Sequence, residues 1–301
     1  MVEPPAVKVS SPRGLRGDYS RAGADYTVDQ HWEQYSAQDH ALWSTLYERQ
    51  LALVSRYAAR EFLEGTALLG ASATRIPRFE SVNERLEAAS GWRIVAVPGL
   101  IPDQQFFAHL AARHFPVTVW IRRPEELDYL VEPDVFHDFF GHVPLLTNPV
   151  FARFMQAYGQ AGAKAMATAG GLTMLSRLYW YMVEFGLIRD GAAGLAVYGA
   201  GILSSKGETV YSVESPEPQR LRFELTRVMR TDYRIDSYQH TYFVLESYQE
   251  LFDACYGTDF TPLYERFGSA PAISADAHLP GDRPVPPVGH SGARSQTPPP
   301  V

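Results

Sequence analysis

A mostly helical α+β domain is what this chain predicts, and three observations predict it. An apolar stripe recurs at helical spacing from His40 to Phe62, Pro-led helix starts stand at Pro102-Asp103 and Asn148-Pro149, and strand-like runs are few and short. The chain has 301 residues, 46% of them apolar and 13% aromatic, which is ample for one packed core.

The elements follow in order. From His40 to Phe62 one stripe carries Leu42, Trp43, Leu46, Tyr47, Leu51, Val54 and Ala58, and Gly65 reads as its stop. Ser81 and Glu84 have the spacing of a capping box opening a short helix that ends before Gly91. Arg93 to Val97 reads as a strand, and Pro102-Asp103 as the first turn of a helix carrying Phe106, Phe107 and Leu110. A strand is expected from Pro116 to Ile121, and Asn148-Pro149 opens a helix bearing Phe151, Phe154, Met155 and Tyr158. A helix is expected from about Thr173 to Ile188, a strand from Glu208 to Val213, and a helix from about Pro218 to Met229.

Both ends differ in texture from this middle. Residues 1–25 contain Pro4, Pro5, Pro12 and several glycines and read as a flexible tail. From Pro271 to Val301, eight of 31 residues are Pro and three are Gly, so residues 269–301 read as a disordered tail with too little apolar surface to offset ordering. No Pro/Gly/Ser linker divides the stretch between, so a single domain is expected over 26–268.

Charge and cysteine content exclude several classes. With 27 basic and 34 acidic residues the net charge is -7, which offers no footprint for nucleic acid or anionic lipid. Cys255 is the only cysteine, so neither a disulfide scaffold nor a Cys-rich zinc module is possible. The start MVEPPAVKVS lacks the pattern of a signal peptide, and the longest uncharged apolar run, Gly191 to Leu203, is too short to span a bilayer. A soluble, cytoplasmic protein is the expectation.

The chemistry concentrates in Val131-Glu-Pro-Asp-Val-Phe-His137-Asp-Phe-Phe-Gly-His142-Val-Pro144. Pro133-Asp134 reads as a helix start, and Pro144 forces the chain out of helix by Val143. Five residues along a regular helix set two imidazoles about 140° apart. His137 and His142 can therefore share one ion only if the end at Gly141 unwinds. Glu184 is the candidate third ligand, because it sits in the apolar run Leu178-Tyr-Trp-Tyr-Met-Val-Glu184-Phe-Gly, where a carboxylate must be paired, protonated or bound to a cation. Its ordinary alternative is an ion pair with Arg177, and that of the two histidines is a core or capping role. Two imidazoles and one carboxylate on one face suit non-haem Fe(II). A zinc hydrolase can use the same set, but no H-E-x-x-H helix accompanies it.

Three motifs, E-P-D-x-x-H-D-x-x-G-H-V-P, Y-W-Y-x-V-E-F-G-L and Y-G-A-G-I-L-S-S-x-G-E, together resemble the pterin-dependent aromatic amino acid hydroxylases, and most of all their bacterial phenylalanine 4-monooxygenase branch. The resemblance implies that family's catalytic-domain fold, with helices around an iron pocket and a few short strands. It implies that His137, His142 and Glu184 hold Fe(2+), that Arg122 at a strand end grips the substrate carboxylate with Ser204 near it, and that Trp180 and Pro133 wall the substrate ring. On the cofactor side it implies tetrahydrobiopterin or a related tetrahydropterin, met by Gly99, Ile101, Asp103 and Phe106, with Asp138 and Tyr179 close to the metal. Asp138 stands where animal relatives carry Glu, so its link to the pterin is expected to be longer or water-mediated; Leu130 stands where they carry Thr, which leaves Arg122 more solely responsible for the carboxylate.

The activity so implied is hydroxylation of L-phenylalanine to L-tyrosine with O2, in phenylalanine degradation or tyrosine synthesis. Tyrosine or tryptophan as the substrate is the alternative within the family. Animal relatives add an N-terminal regulatory domain and a C-terminal oligomerisation helix that find no counterpart here, so a monomer is expected.

Overall fold

The long N-terminal stripe becomes two helices rather than one. Ser36 and Asp39 form a reciprocal capping box that opens α1 (Ala37–Tyr57), which buries Trp43, Leu46, Tyr47 and Val54. The chain is extended at Ala58, and α2 (Arg60–Leu69) follows. Gly65 does not stop it. It lies inside α2 because a Cβ there would stand 2.0 Å from the Pro144 carbonyl oxygen, and the stop is Gly70 in the left-handed conformation. α3 (Phe79–Ser90) starts two residues before the expected Ser81 cap and ends at left-handed Gly91. The computed structural model describes residues 15–128, 130–191, 194–235 and 237–287.

Strand β1 (Arg93–Val97) pairs in parallel with β2 (His114–Thr118), and α4 (Asp103–Ala111) crosses between them. β2 stops three residues short of the expected Ile121. α5 (Pro149–Ala167), capped by the Asn148 side chain, lies against α4, where Gly162 approaches the Phe107 ring too closely for any side chain. α6 (Gly171–Tyr179) follows, and with it the expected helix to Ile188 ends early: a wide π turn takes Trp180–Glu184 and the chain then becomes strand.

Four strands in the C-terminal half form a sheet of order β4-β3-β6-β5. β3 (Leu187–Asp190) and β4 (Gly194–Val197) are antiparallel, while β6 (Thr241–Leu245) is parallel to both β3 and β5 (Gln219–Arg222). Two expectations reverse here. Glu208 to Val213 is not a strand but part of α8 (Lys206–Glu214), because the Ser205 hydroxyl accepts the Glu208 N–H and fixes a helix start. Pro218 to Met229 opens instead as β5, with only α9 (Leu225–Arg230) helical, because Glu224 caps at a point where the strand has finished. Between β4 and α8 lies α7 (Ala200–Leu203), and α10 (Tyr248–Cys255) and α11 (Thr261–Phe267) complete the helices.

The tails are less idle than their composition suggests. Residues 1–14 and 288–301 lie outside the described residues. Within the expected N-terminal tail, Arg16 pairs with Glu126 and its backbone N–H donates to Glu132. Within the expected disordered C-terminal tail, residues 271–287 pack on the sheet: Val285 is buried and donates its N–H to the Arg220 carbonyl, and Pro284 bridges Leu221. One buried cation–anion pair, Arg227 with Asp282, secures a segment that apolar content alone would not.

Candidate metal centre

The site is built on two π turns. His137–His142 forms the first, directly after one α-turn at Val135 and Phe136. A regular helix would have to unwind at Gly141 for the two histidines to converge; the backbone widens instead. In i→i+5 geometry residues five apart fall on one side, which a 3.6-residue turn forbids. The two imidazole centroids are 5.1 Å apart and nearly perpendicular. Gly141 matters for packing rather than unwinding, since a Cβ there would stand 2.9 Å from the Ala200 carbonyl oxygen. The missing side chain lets this turn seat against α7. Around it, Phe136, Phe139 and Phe140 pack on Trp43, Tyr47 and Phe62. This aromatic cluster holds the turn rigid and dry.

The second π turn, Trp180–Glu184, ends on the carboxylate. Glu184 Oε1 is 3.1 Å from His142 Nε2, and Glu184 Oε2 is 3.6 Å from His137 Nε2. Arg177, the alternative partner, is engaged with Asp232 instead. Among the described residues no lysine or arginine pairs with Glu184. Burial pushes the His137 imidazole down to about 4, so it is neutral and its nitrogen can donate a lone pair. Burial also opposes ionisation of Glu184, but His142, His137 and the Gly201 N–H together leave its carboxyl below the usual value. Two imidazole nitrogens and a carboxylate oxygen gathered in an apolar shell are a donor set that fits a divalent cation of the Fe(II) type.

Ser204 adjoins the histidine pair. Its Oγ lies 2.8 Å from His137 Nδ1 and 2.9 Å from the Ala200 carbonyl oxygen. With the hydroxyl donating to Ala200, it accepts from Nδ1–H, which fixes the tautomer that leaves Nε2 free towards Glu184. A second carboxylate, Asp138, also lies within 4.8 Å of donor atoms on both histidines. Its Oδ2 accepts the Thr118 N–H at 2.8 Å, and burial raises it to about 7. Glu184, which faces both Nε2 atoms, is the better third donor.

Arg122 lies four residues beyond the end of β2, not at a strand end, and is buried. Its Nε and Nη2 donate to the two oxygens of fully buried Asp134 at 2.8 and 3.0 Å. Asp134 also accepts the backbone N–H groups of Arg122 and His137, at 2.9 and 3.0 Å. One carboxylate thus sets the guanidinium and the first turn of the histidine segment together. This role was not foreseen from the sequence; the signal was an acid heading an apolar run, which must find a partner.

Trp180 stacks on Tyr233 with centroids 4.3 Å apart, and Phe185 lies 5.0 Å from it. Pro133, half-buried, immediately precedes Asp134. Phe106 in α4 meets Tyr179 edge-on at 5.5 Å, and Tyr179 lies 6.3 Å from His142. Gly99 and Ile101 lie in the loop between β1 and α4, and Asp103 is the first residue of α4. The Tyr19 hydroxyl donates to the carbonyl of the neighbouring Leu100. Tyr179 thus links Phe106 to His142, while Ser204 meets His137 directly and Arg122 meets it through Asp134.

The profile of the family described as biopterin-dependent aromatic amino acid hydroxylase matches residues 5–257. The chain belongs to that family. It is 57% identical over 269 residues to the phenylalanine-4-hydroxylase of Ralstonia nicotianae, covering 89% of this chain and 84% of that one. It is 56% identical over 258 residues to the phenylalanine-4-hydroxylase of Chromobacterium violaceum, covering 86% of each. The crystal structure of the C. violaceum enzyme with bound iron(III) and oxidised 7,8-dihydrobiopterin superposes with a TM-score of 0.83 at 55% identity, over 87% of this chain and 94% of that one. Family membership makes this chain an aromatic amino acid hydroxylase, an oxidoreductase. No helix among the described residues is long and apolar enough to cross a membrane.

Proposed function

We propose that this hydroxylase converts L-phenylalanine to L-tyrosine with O2, using Fe(II) held by His137, His142 and Glu184 and a tetrahydropterin as the second reductant. The observation that carries the reading is the Glu184 carboxylate facing both Nε2 atoms in an apolar shell, at 3.1 and 3.6 Å. Bound there, iron and tetrahydropterin supply the activation of O2 for attack on an aromatic ring.

The protein's residues orient and exclude water. Arg122, braced by Asp134, offers its remaining N–H groups to the substrate carboxylate. Trp180 and Pro133 flank the ring, with Phe185 and Tyr233 behind Trp180. Ser204 orients His137 and stands beside the path to the carboxylate. Phe106 stacks on the pterin, backbone groups from Gly99 through Ile101 to Asp103 meet its polar edge, and Tyr179 and Asp138 close the space towards the metal. Phe136, Phe139 and Phe140 keep bulk water from the rear of the site.

Tyrosine or tryptophan hydroxylation remains the competing reading within the family, and a hydrolase on zinc has no feature here in its favour. We further infer a cytoplasmic enzyme acting as a monomer, with one catalytic unit that extends past the expected bounds 26–268 to take in Arg16 and residues 271–287. The deciding experiment reconstitutes metal-free protein with Fe(II) and measures tyrosine from phenylalanine against O2 and tetrahydropterin consumed. Stoichiometric tyrosine is expected. Turnover that persists in a Glu184→Ala, His137→Ala double variant would overturn the metal assignment, and hydroxylation of tyrosine in preference to phenylalanine would overturn the substrate.

A further inference from the structure

We propose that the segment from Ala270 to Pro287 is a positioning element of the aromatic pocket, acting on the substrate through Tyr233. The inference rests on the reading of Trp180 as a wall of that pocket. It concerns a part of the chain that the family profile, ending at residue 257, does not reach.

Tyr233 covers the face of Trp180 at 4.3 Å, with ring planes 19° apart. Tyr233 belongs to no regular element; it begins the connection between α9 and β6, so its place is set by what holds the two ends of that connection. At the first end, Ile273 donates its N–H to the Arg230 carbonyl at 2.7 Å and accepts the Asp232 N–H at 2.8 Å, a two-bond bridge beside Thr231. At the second end, the Thr241 hydroxyl donates to the Ala275 carbonyl, and His240 Nδ1 meets the Asp276 carboxylate, which Arg234 also approaches. Ile273, Ala275 and Asp276 of one segment thus span the gap from Arg230 to Thr241.

Other contacts finish the clamp. Inside the connection, buried Gln239 accepts the Arg234 N–H and donates to the Arg234 carbonyl, which pinches its neck. From the α6 side, Arg177 and the Tyr181 hydroxyl both engage Asp232. Downstream, Arg227 ties Asp282 and the Ala277 carbonyl, and Val285 joins the Arg220 carbonyl on β5. Arg227 also donates to the Thr231 hydroxyl at the start of the connection, whereas the Val285 bond anchors the segment to the sheet without touching it. Anchor and clamp are therefore separable. That separation distinguishes a positioning role from general stabilisation.

A wall residue held at both ends presents one surface to the ring. A released one widens the pocket, weakening ground-state and transition-state binding alike, which raises KM with little change in kcat.

The test uses the full-length, iron-loaded chain. Ile273→Pro deletes the N–H given to Arg230, and Asp276→Ala frees His240 and Arg234. Together they are expected to raise KM for phenylalanine about fivefold, with kcat within about twofold and more tetrahydropterin consumed per tyrosine. The near-ultraviolet circular dichroism of the metal-free variant should lose the signal of the stacked Trp180–Tyr233 pair, a readout independent of turnover. Val285→Ala, at the anchor, should lower the melting temperature and leave KM and that signal unchanged. Should the double variant fail to fold, Asp276→Ala alone, at an exposed carboxylate, gives the same signature at about twofold in KM. An unchanged KM and dichroism in the clamp variants, or an equal KM rise in Val285→Ala, overturns the proposal. A wild-type chain that makes no tyrosine overturns the reading of function instead, and the dichroism still decides the clamp.

Discussion

Asp134 is the residue on which the two halves of the site depend. It is fully buried, and four donors point at its two oxygens: Arg122 Nε and Nη2, and the backbone N–H groups of Arg122 and His137. Removing Arg122 has two separable consequences. Arg122→Ala would withdraw the proposed charge-assisted grip on the substrate carboxylate, about 1.5–3 kcal/mol, so KM for phenylalanine should rise by roughly 10- to 150-fold with kcat changed far less. It also strands the Asp134 carboxylate, which should lower unfolding free energy by about 3–5 kcal/mol in urea titrations. An unchanged KM would remove Arg122 from the substrate side. Ser204 makes a subtler prediction. Ser204→Ala frees the His137 ring to adopt either tautomer, and metal affinity measured by chelator competition should fall by about 10- to 100-fold. Ser204→Thr, which keeps a hydroxyl, should recover most of it. The histidines and Glu184 were legible as polar groups in apolar runs, and Arg122 and Ser204 only through resemblance. Asp134 was visible as a helix-start acid, but its pairing with Arg122 depends on a loop path that no local pattern encodes.

At the scale of elements, legibility followed the strength of local signals. α4 and α5 were readable because Pro102-Asp103 and Asn148-Pro149 mark their starts and their apolar faces keep one period. The π turns were not, because a one-residue widening leaves the apolar pattern almost unchanged. The strands β3, β4 and β6 are buried runs without alternation, and such runs do not announce themselves. In α8 the sequence Glu208-Thr-Val-Tyr-Ser-Val carries β-branched residues and an apparent alternation, yet the Ser205 cap wins. That helix turns Glu208 inward, where its carboxylate accepts from Tyr242 and the Gln239 N–H. Burial pushes this carboxyl up from 4.5 to about 7. A raised acid binds a proton in the folded state that the unfolded state has already released. Its neutral form is therefore tolerated at low pH, and stability falls as pH rises from about 4.5 to about 7. Glu208→Gln should remove that contribution. In urea unfolding of metal-free protein, the variant should gain on the wild type by on the order of 3 kcal/mol across this window and stay level above it. Parallel curves would show that the two donors offset burial and leave the Glu208 carboxyl at its ordinary value.

For the whole molecule, composition misled most at the ends. The Pro-rich stretch from Pro271 holds few large apolar side chains, yet residues 271–287 are secured by Asp282 on Arg227 and by backbone bonds to β5. A residue count of apolar groups does not see such bonds. The same logic of distant segments tied at single points governs the metal site. The three proposed ligands come from two turns far apart in the chain, and a cation bound between them would join the aromatic cluster behind His137 and His142 to the sheet that follows Glu184. Without a cation, Glu184 faces the two imidazoles with no ion between them to add binding energy. With one, the native state alone gains the binding energy, about 2.7 kcal/mol when free metal stands at 100 times its dissociation constant. Metal-free protein should accordingly melt several degrees lower than protein given Fe(II) or Co(II) under argon, and a chelator should reverse the difference. Glu184→Gln should melt close to the metal-free wild type and should gain almost nothing from added metal, since an amide replaces the anionic oxygen. Equal metal-induced stabilisation in wild type and variant would place the cation somewhere other than between His137, His142 and Glu184.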